Sequence, residues 1–341
     1  MPAVSIIIPT YNRASLVMKA IDSVLAQTYK DYELIVVDDG STDNTKELLQ
    51  HYGDDIKYIY QHNGGVNKAR NTGIDAAVGQ YIALLDNDDL WREDKLAIQM
   101  SIFQRHPGFA YLFSDFSILK SDGTVKQGGL LSWKPLQARW LDKYGRKLEP
   151  ANESSCLSGK EEAVYQCDLY KVMLEQPLVL PTTAIFDRKF FDAGLRLPED
   201  DPICGDWEYF ARLSKGRKAL FMSLETAINR SHEDEVRLTR TARKTQLDYR
   251  LKMISRLWQR DSDFVAENSA LINAVRGRYL ADLVKIALIE GDRSLAIKLL
   301  DEVSMLRVVS PLRIFLLRTL GYMPFSHLLL RGARQVLHVI K

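Results

Sequence analysis

Val36-Val37-Asp38-Asp39-Gly40-Ser41-Thr42-Asp43 and Leu84-Leu85-Asp86-Asn87-Asp88-Asp89 are the two stretches on which the reading of this chain turns. Each is an apolar run that ends in adjacent carboxylates. A buried strand ending in several Asp residues gathers negative charge into one small volume, which is unfavourable unless a cation or hydrogen-bond donors meet it. The pattern points to a site for a metal and for a polyol or phosphate ligand.

Outward from these clusters, residues 1 to 105 alternate strand and helix. Val4 to Ile8, Tyr32 to Val37, Ile56 to Tyr60 and Tyr81 to Leu85 are short β-branched or aromatic runs bounded by turn residues. Between them, Leu16, Val17, Ala20, Ile21, Val24 and Leu25 mark one helix face. A second helix is expected from Ser41 to Asp43 onward, and a third over Lys68 to Ala77. Repeated βα units predict an α/β fold: a mostly parallel sheet flanked by helices, with ligands bound beyond the carboxyl ends of the strands. Residues 106 to 180 lack a clear period and are expected to be irregular and partly mobile. Regular structure resumes at Pro181 to Phe186 and in a helix near Asp206, and from residue 236 the pattern is a C-terminal α-helical extension. The domains read from this are a catalytic 1–235, divided into a nucleotide-binding half 1–105 and an acceptor-binding half 106–235, and a helical 236–341.

With 46% hydrophobic residues in 341, the chain can bury a sizeable core and an annex. A formal charge of +2 implies no general attraction to nucleic acid. The charge is uneven, however: after Glu302 no acid follows, whereas Arg307, Arg313, Arg318, Arg331, Arg334 and Lys341 do. Together with Leu312, Phe315, Leu328 and Val336, these cations give residues 307–341 the composition of an interfacial helix pair that docks on a membrane surface. Two helices covering the catalytic domain, or a homodimer contact, are the other reading of that tail. Three cysteines without C-x-x-C spacing argue against a disulfide framework and a zinc site. The expected location is cytoplasmic, peripheral to the membrane face.

Asp86 and Asp88 fall on the same side of an extended chain. One carboxylate can hold Mg²⁺ or Mn²⁺ while the other accepts ribose hydroxyls; an Asx turn capping the next helix is the ordinary role of such residues. Asp38 and Asp39 can accept an N–H from a base such as uracil and meet ribose, or cap a helix. Pro9-Thr10-Tyr11-Asn12 closes the first strand, where Tyr11 can pack on a base. Gly64-Gly65 followed by Lys68, Arg70 and Asn71 offers a helix start and cations to a diphosphate, or simply a solvated basic face.

The ordered set Ile8-Pro9-Thr10-Tyr11-Asn12, Val37-Asp38-Asp39-Gly40-Ser41-Thr42-Asp43, Ala69-Arg70-Asn71-x-Gly73-Ile74 and Leu85-Asp86-x-Asp88-Asp89 resembles the family 2 glycosyltransferases of the GT-A fold. The resemblance extends less tightly through Gly205-Asp206-Trp207-Glu208 and Arg230-Ser231-His232. It implies an inverting, nucleotide-sugar-dependent enzyme in which Thr10, Tyr11, Asp39 and Arg70 contact the nucleoside diphosphate, Asp86 the ribose or sugar, and Asp88 the metal. Pro9, Asp38, Lys68 and Asn87 complete the expected donor-binding set, and His232 is a further candidate for the metal. The family's general base is the Asp of a Glu-Asp-Trp sequence. Gly205 stands here in place of that Glu, which leaves Asp206 as base and removes a neighbouring carboxylate. The implied partners are a UDP-hexose or UDP-N-acetylhexosamine donor and a saccharide or lipid-linked acceptor, in surface polysaccharide or glycolipid assembly.

Rival classes fit less well. A nucleotidyltransferase usually carries a glycine-rich loop beside its first strand, and Pro9 to Arg13 has no glycine. A dinucleotide-dependent oxidoreductase would need G-x-G-x-x-G. A non-catalytic sugar-nucleotide binder has Gly205 as its supporting clue.

Overall fold

A computed structural model describes residues 1–132, 138–150, 163–230, 242–308, 314–315 and 317–319. The chain forms two compact units, Met1–Val236 and Arg237–Lys341.

In the first unit β1 Val4–Thr10, β2 Tyr32–Asp38, β3 Lys57–Tyr60 and β4 Tyr81–Leu84 pair in parallel in the order β3-β2-β1-β4. The β-branched runs of β1, β2 and β4 are mostly buried on both faces, where stiff branched side chains pack well, whereas the edge strand β3 is only partly buried. The crossovers are α1 Ala14–Leu25, α2 Thr45–Leu49 and α3 Val66–Asp75. α1 buries Leu16, Val17, Ala20, Ile21 and Val24, the face its sequence predicts. Each large apolar residue there contributes roughly 1.5–3 kcal/mol through burial. α3 lies close on β1 and β2 because Gly73 has no side chain: a Cβ there would press into Ile7 and come 3.2 Å from Val37 Cγ2.

β5 Leu90–Trp91 and α4 Lys95–Arg105 follow. The sheet then continues through strands of mixed direction: β6 Tyr111–Leu119, β7 Val125–Lys126, β8 Gly145–Pro150, β9 Ala163–Cys167, β10 Ile185–Asp187 and β11 Ala219–Arg230. Its full order is β3-β2-β1-β4-β10-β6-β11-β9-β8, with β5 on β11 and β7 on β6. β10 runs antiparallel between β4 and β6, and β11 runs parallel to β6 with irregularities around Glu225. The helices of this half are α5 Gly129–Ser132, α6 Ala138–Tyr144, α7 Tyr170–Met173, α8 Lys189–Asp192 and α9 Gly205–Ser214.

Two expectations are corrected here. The described part of residues 106–180 is not irregular: it carries β6 to β9. The strand signal in Tyr111-Leu112-Phe113-Ser114-Asp115-Phe116 is interrupted by polar residues whose partners lie far away, Ser114 on Thr226 at 2.6 Å and Asp115 on the Leu130 N–H at 2.8 Å. The second helix starts at Thr45, just past the Ser41 to Asp43 run: Ser41 and Thr42 bond Asn12, while Asp43 Oδ1 accepts the Thr45 N–H at 3.1 Å.

In the second unit, α10 Arg243–Leu257, α11 Ser262–Glu290 and α12 Arg293–Leu306 pack around Leu280, Val284, Ala287, Leu300 and Val303. α11 ends at Gly291 in the left-handed conformation (φ 82°), and the Asp292 carboxylate accepts the Leu295 N–H at 3.0 Å to open α12. Among the described residues no helix is long and apolar enough to cross a membrane. Most of the basic apolar tail expected at 307–341 lies outside the described residues, as does His232.

Candidate active site

Because β1, β2 and β4 run parallel, Thr10, Asp38 and the turn after Leu84 arrive at one edge of the sheet, where β1 and β2 register Thr10 opposite Asp38. The turn between them is drawn tight by Asn12, whose φ of 50° is in the left-handed region that costs a residue with a Cβ about 1 kcal/mol or more. Its Oδ1 accepts the Thr42 N–H at 2.7 Å and its own N–H donates to Ser41 Oγ at 2.9 Å. Asp43 in turn accepts the Ala14 N–H at the start of α1. The Ser41-Thr42-Asp43 run therefore stitches the ends of β1 and β2 together. Tyr11 at the tip is about half exposed (46%) and available to a planar ligand, while Pro9 is buried.

Asp38 and Asp39 are both buried, with different duties. Asp38 accepts the Ser41 N–H and the Tyr58 hydroxyl, each at 2.8 Å, which fixes the turn. Asp39 accepts from Gln61 Nε2 at 2.6 Å and from the Gly64 and Gly65 N–H groups at 2.9 and 2.8 Å. The glycine turn ahead of α3, expected to face a diphosphate, thus directs these N–H groups at Asp39. Lys68 remains exposed beside it. Next to Asp39, the buried Thr10 hydroxyl has no partner, an orphan that a bound ligand would satisfy.

The acidic turn after β4 divides its carboxylates between structure and surface. Asp89 is buried and accepts from Thr182 Oγ1 at 2.7 Å, Asn229 Nδ2 at 2.9 Å and the Arg230 N–H at 3.2 Å. Burial, then the charges of Asp86 and Asp88, push its carboxyl well above the usual range. Thr182 also accepts the Asp86 N–H, and its carbonyl receives the Trp91 indole N–H at 2.8 Å. The neighbouring Thr183 carbonyl is held by Gln99 Nε2 at 2.9 Å and by Lys95, a fully buried amine beneath the Trp91 ring. Burial drives that amine well below its ordinary pKa.

Asp86, Asn87 and Asp88 are left partly exposed. Asp86 takes the buried Arg70 guanidinium at 2.5 Å, and Asp88 takes Arg13 at 2.9 Å. Burial opposes charge on Arg70, yet Asp86, Asp206 and Asp88 together hold its pKa above the ordinary value. Asp206, the second residue of α9, is half-buried. Burial raises its pKa above the usual carboxylate range while Arg70 pulls the other way. Asp206 is not the N-cap of α9, but its Oδ1 accepts the Trp207 N–H of the first turn at 2.7 Å. Asp201 is buried and accepts the Ile203 and Cys204 N–H groups ahead of that helix.

The structure thus brings Asp86, Asp88, Arg70 and Asp206 into one electrostatic cluster, next to the Thr10–Asp39 shelf. The carboxylates of Asp86 and Asp88 have the chemistry of ligands to a hard divalent cation, but their side chains are only 25% and 19% exposed and each already meets an arginine, Arg70 and Arg13. Among the described residues no three His, Cys, Asp or Glu side chains are placed to enclose a metal, so phosphate and water oxygens would complete the shell. Sequence reasoning missed Thr182, Asn67 and Arg13. Arg13 was open to discovery, since it directly follows Tyr11-Asn12; Thr182 carried no local signal.

Comparison with known proteins shows what this geometry is similar to. Residues 5–153, less than half of the chain, match the model of glycosyl transferase family 2. The likeness to family 2 of the glycosyltransferases is that of this domain. It is 37% identical over 124 residues, 36% of this chain and 49% of the relative, to the *Escherichia coli* UDP-Glc:alpha-D-GlcNAc-diphosphoundecaprenol beta-1,3-glucosyltransferase WfgD. Glycosyltransferases of *Rickettsia* species match a larger part of the chain, which spans 25–29% of their length. The fold is that of *S. aureus* TarS 1-349 in complex with UDP-GlcNAc, with a TM-score of 0.58 at 16% identity over 96% of this chain and 88% of that one. The mannosyltransferase PcManGT from *Pyrobaculum calidifontis*, in complex with GDP-Man and Mn²⁺, gives 0.55 at 17% identity over 98% and 88%. The sheet and its flanking helices are therefore a GT-A fold.

Proposed function

We propose that this protein is an inverting, metal-dependent glycosyltransferase that moves a hexose or N-acetylhexosamine from a UDP-sugar to a hydroxyl of a saccharide or lipid-linked acceptor. The observation that carries the reading is the cluster of Arg70, Asp86, Asp88 and Asp206, in which one buried cation on α3 faces two carboxylates of the turn after β4 and one of α9. The Thr10–Asp39 shelf supports the base and ribose of the donor, with Pro9, Tyr11, Asp38, Lys68 and Asn87 around it. Asp88, with Asp86 and phosphate oxygens, would hold Mn²⁺ or Mg²⁺, which supplies charge neutralisation to the leaving diphosphate.

Asp206 is the base. As the acceptor oxygen forms its bond to the anomeric carbon, its proton passes to the Asp206 carboxylate, and the bond from that carbon to the diphosphate oxygen breaks with its electron pair going to the diphosphate. One displacement inverts the centre, and no covalent enzyme intermediate is needed. Burial raises the Asp206 pKa and so makes its carboxylate a stronger proton acceptor. Arg70 meets the charge that grows on the departing group.

Replacing Asp206 by Asn is expected to lower release of UDP from its sugar by about 1,000-fold while a thermal-shift panel of UDP, UDP-glucose and UDP-GlcNAc with Mn²⁺ gives the same stabilisation as for the parent. Full turnover in the variant would remove the assignment, and a panel without any shift would remove the donor class. Similarity to an enzyme named for a diphosphoundecaprenol-linked substrate supports polysaccharide assembly at a membrane face.

A further inference from the structure

Gly205 opens α9 one residue before Asp206, and its Cα faces the Asn67 carboxamide. A Cβ placed there would fall inside the envelope of Nδ2 and lie 2.9 Å from Cγ. Glycine is a poor helix former, and Gly205 does not use the left-handed conformation that usually calls for one, so its presence needs a steric reason. The carboxamide supplies that reason because it cannot swing aside. Its Nδ2 donates to the Pro198 carbonyl at 3.0 Å and the Asp201 carbonyl at 2.8 Å, its Oδ1 accepts from Arg70 Nη1 at 3.2 Å, and the residue is buried.

One turn along α3, on the same face, Asn71 repeats the grip. Its Nδ2 donates to the Leu197 carbonyl at 3.0 Å and to Glu199 Oε1 at 2.9 Å, while its Oδ1 accepts the Leu197 N–H at 3.1 Å. α3 therefore holds the 197–201 segment at two points, and the bare backbone at 205 lets α9 close on the first of them. α3 carries Arg70 and α9 carries Asp206.

We propose that Asn67 and Gly205 are a matched positioning pair that sets the spacing of Arg70 from Asp206, and with it the alignment of the departing diphosphate against the attacking hydroxyl. The inference rests on the transfer reading given above. It also accounts for the departure from Glu-Asp-Trp: a side chain at 205 has no room while residue 67 is Asn. Neither residue touches substrate; both act through the two that do.

The test uses the full chain with UDP-glucose and UDP-GlcNAc plus Mn²⁺, reading UDP release, for Gly205→Ala, Asn67→Ser and the double variant. Gly205→Ala is expected to lower kcat about 100-fold with KM changed less than about threefold. The double variant, in which the shorter serine vacates the space, is expected to regain most of that loss. Unchanged kcat in Gly205→Ala, a KM that rises in step with the loss, or a double variant worse than Gly205→Ala would overturn the proposal. If the parent binds UDP but releases none from either sugar, the transfer reading fails by itself, and the melting temperatures then judge the pair. A drop of several degrees in Gly205→Ala (about 2–4 °C per kcal/mol at this domain size) that the double variant restores supports the matched contact, and additive losses overturn it.

Discussion

Thr182 is one hydroxyl with two obligations: it donates to the buried Asp89 carboxylate and accepts the Asp86 N–H. Removing it while keeping its shape, Thr182→Val, leaves one oxygen of a buried acid without this donor. The expected cost is about 1–3 kcal/mol in urea unfolding, together with weaker Mn²⁺-dependent UDP stabilisation, since the Asp86–Asp88 turn loses its bracket. Unchanged stability would mean that Asn229 and the Arg230 N–H suffice for Asp89. The residues legible in the sequence were those whose chemistry is local. Asp38, Asp39, Asp86 and Asp88 end apolar runs, and that alone identifies a charged edge. Thr182 and Asn67 were not legible, because a threonine or asparagine becomes a support only through partners more than 90 residues away in the chain.

At the scale of elements, β6 and β11 place Asp115 opposite Glu225. The Asp115 carboxylate accepts the Phe116 and Leu130 N–H groups at 2.8 Å each, and the Glu225 carboxylate accepts the Gly128 N–H at 2.6 Å, so the start of α5 is latched to two acids. Burial, with the Glu225 charge adding to it, raises Asp115 from 3.8 to about 6. A carboxyl with a raised folded pKa binds more protons folded than unfolded between the two values. Its contribution to stability therefore falls as pH rises from 3.8 to about 6 and is regained on acidification. Asp115→Asn keeps an acceptor for both N–H groups and is expected to raise stability at pH 8 by on the order of 2–3 kcal/mol and to flatten the stability profile across that window. A profile parallel to the parent's would reject the raised value. The βα repeats of the first 105 residues were legible because burial on both faces writes an unbroken apolar run; β6 was not, because its polar members are satisfied by β11 and the 128–130 turn.

For the molecule as a whole, the sequence divides its charge as it divides its secondary structure, with the acids of the site in the first unit and a run of cations without an intervening acid after Glu302. If those cations with their leucines dock on lipid, deleting residues 307–341 should abolish flotation with anionic liposomes while leaving UDP-induced stabilisation intact. Equal partitioning of the two forms would leave the tail to a protein contact. Within the first unit, the hydrogen bond from the Arg230 N–H to Asp89 joins the far end of the longest strand to the turn that carries Asp86 and Asp88. Any ion or nucleotide that settles on that turn also steadies Asp89, so the Arg230 amide should trade its proton for deuterium more slowly when the site is filled. A single backbone position at the end of β11 thereby becomes a gauge of occupancy that needs neither a known acceptor nor a turnover assay.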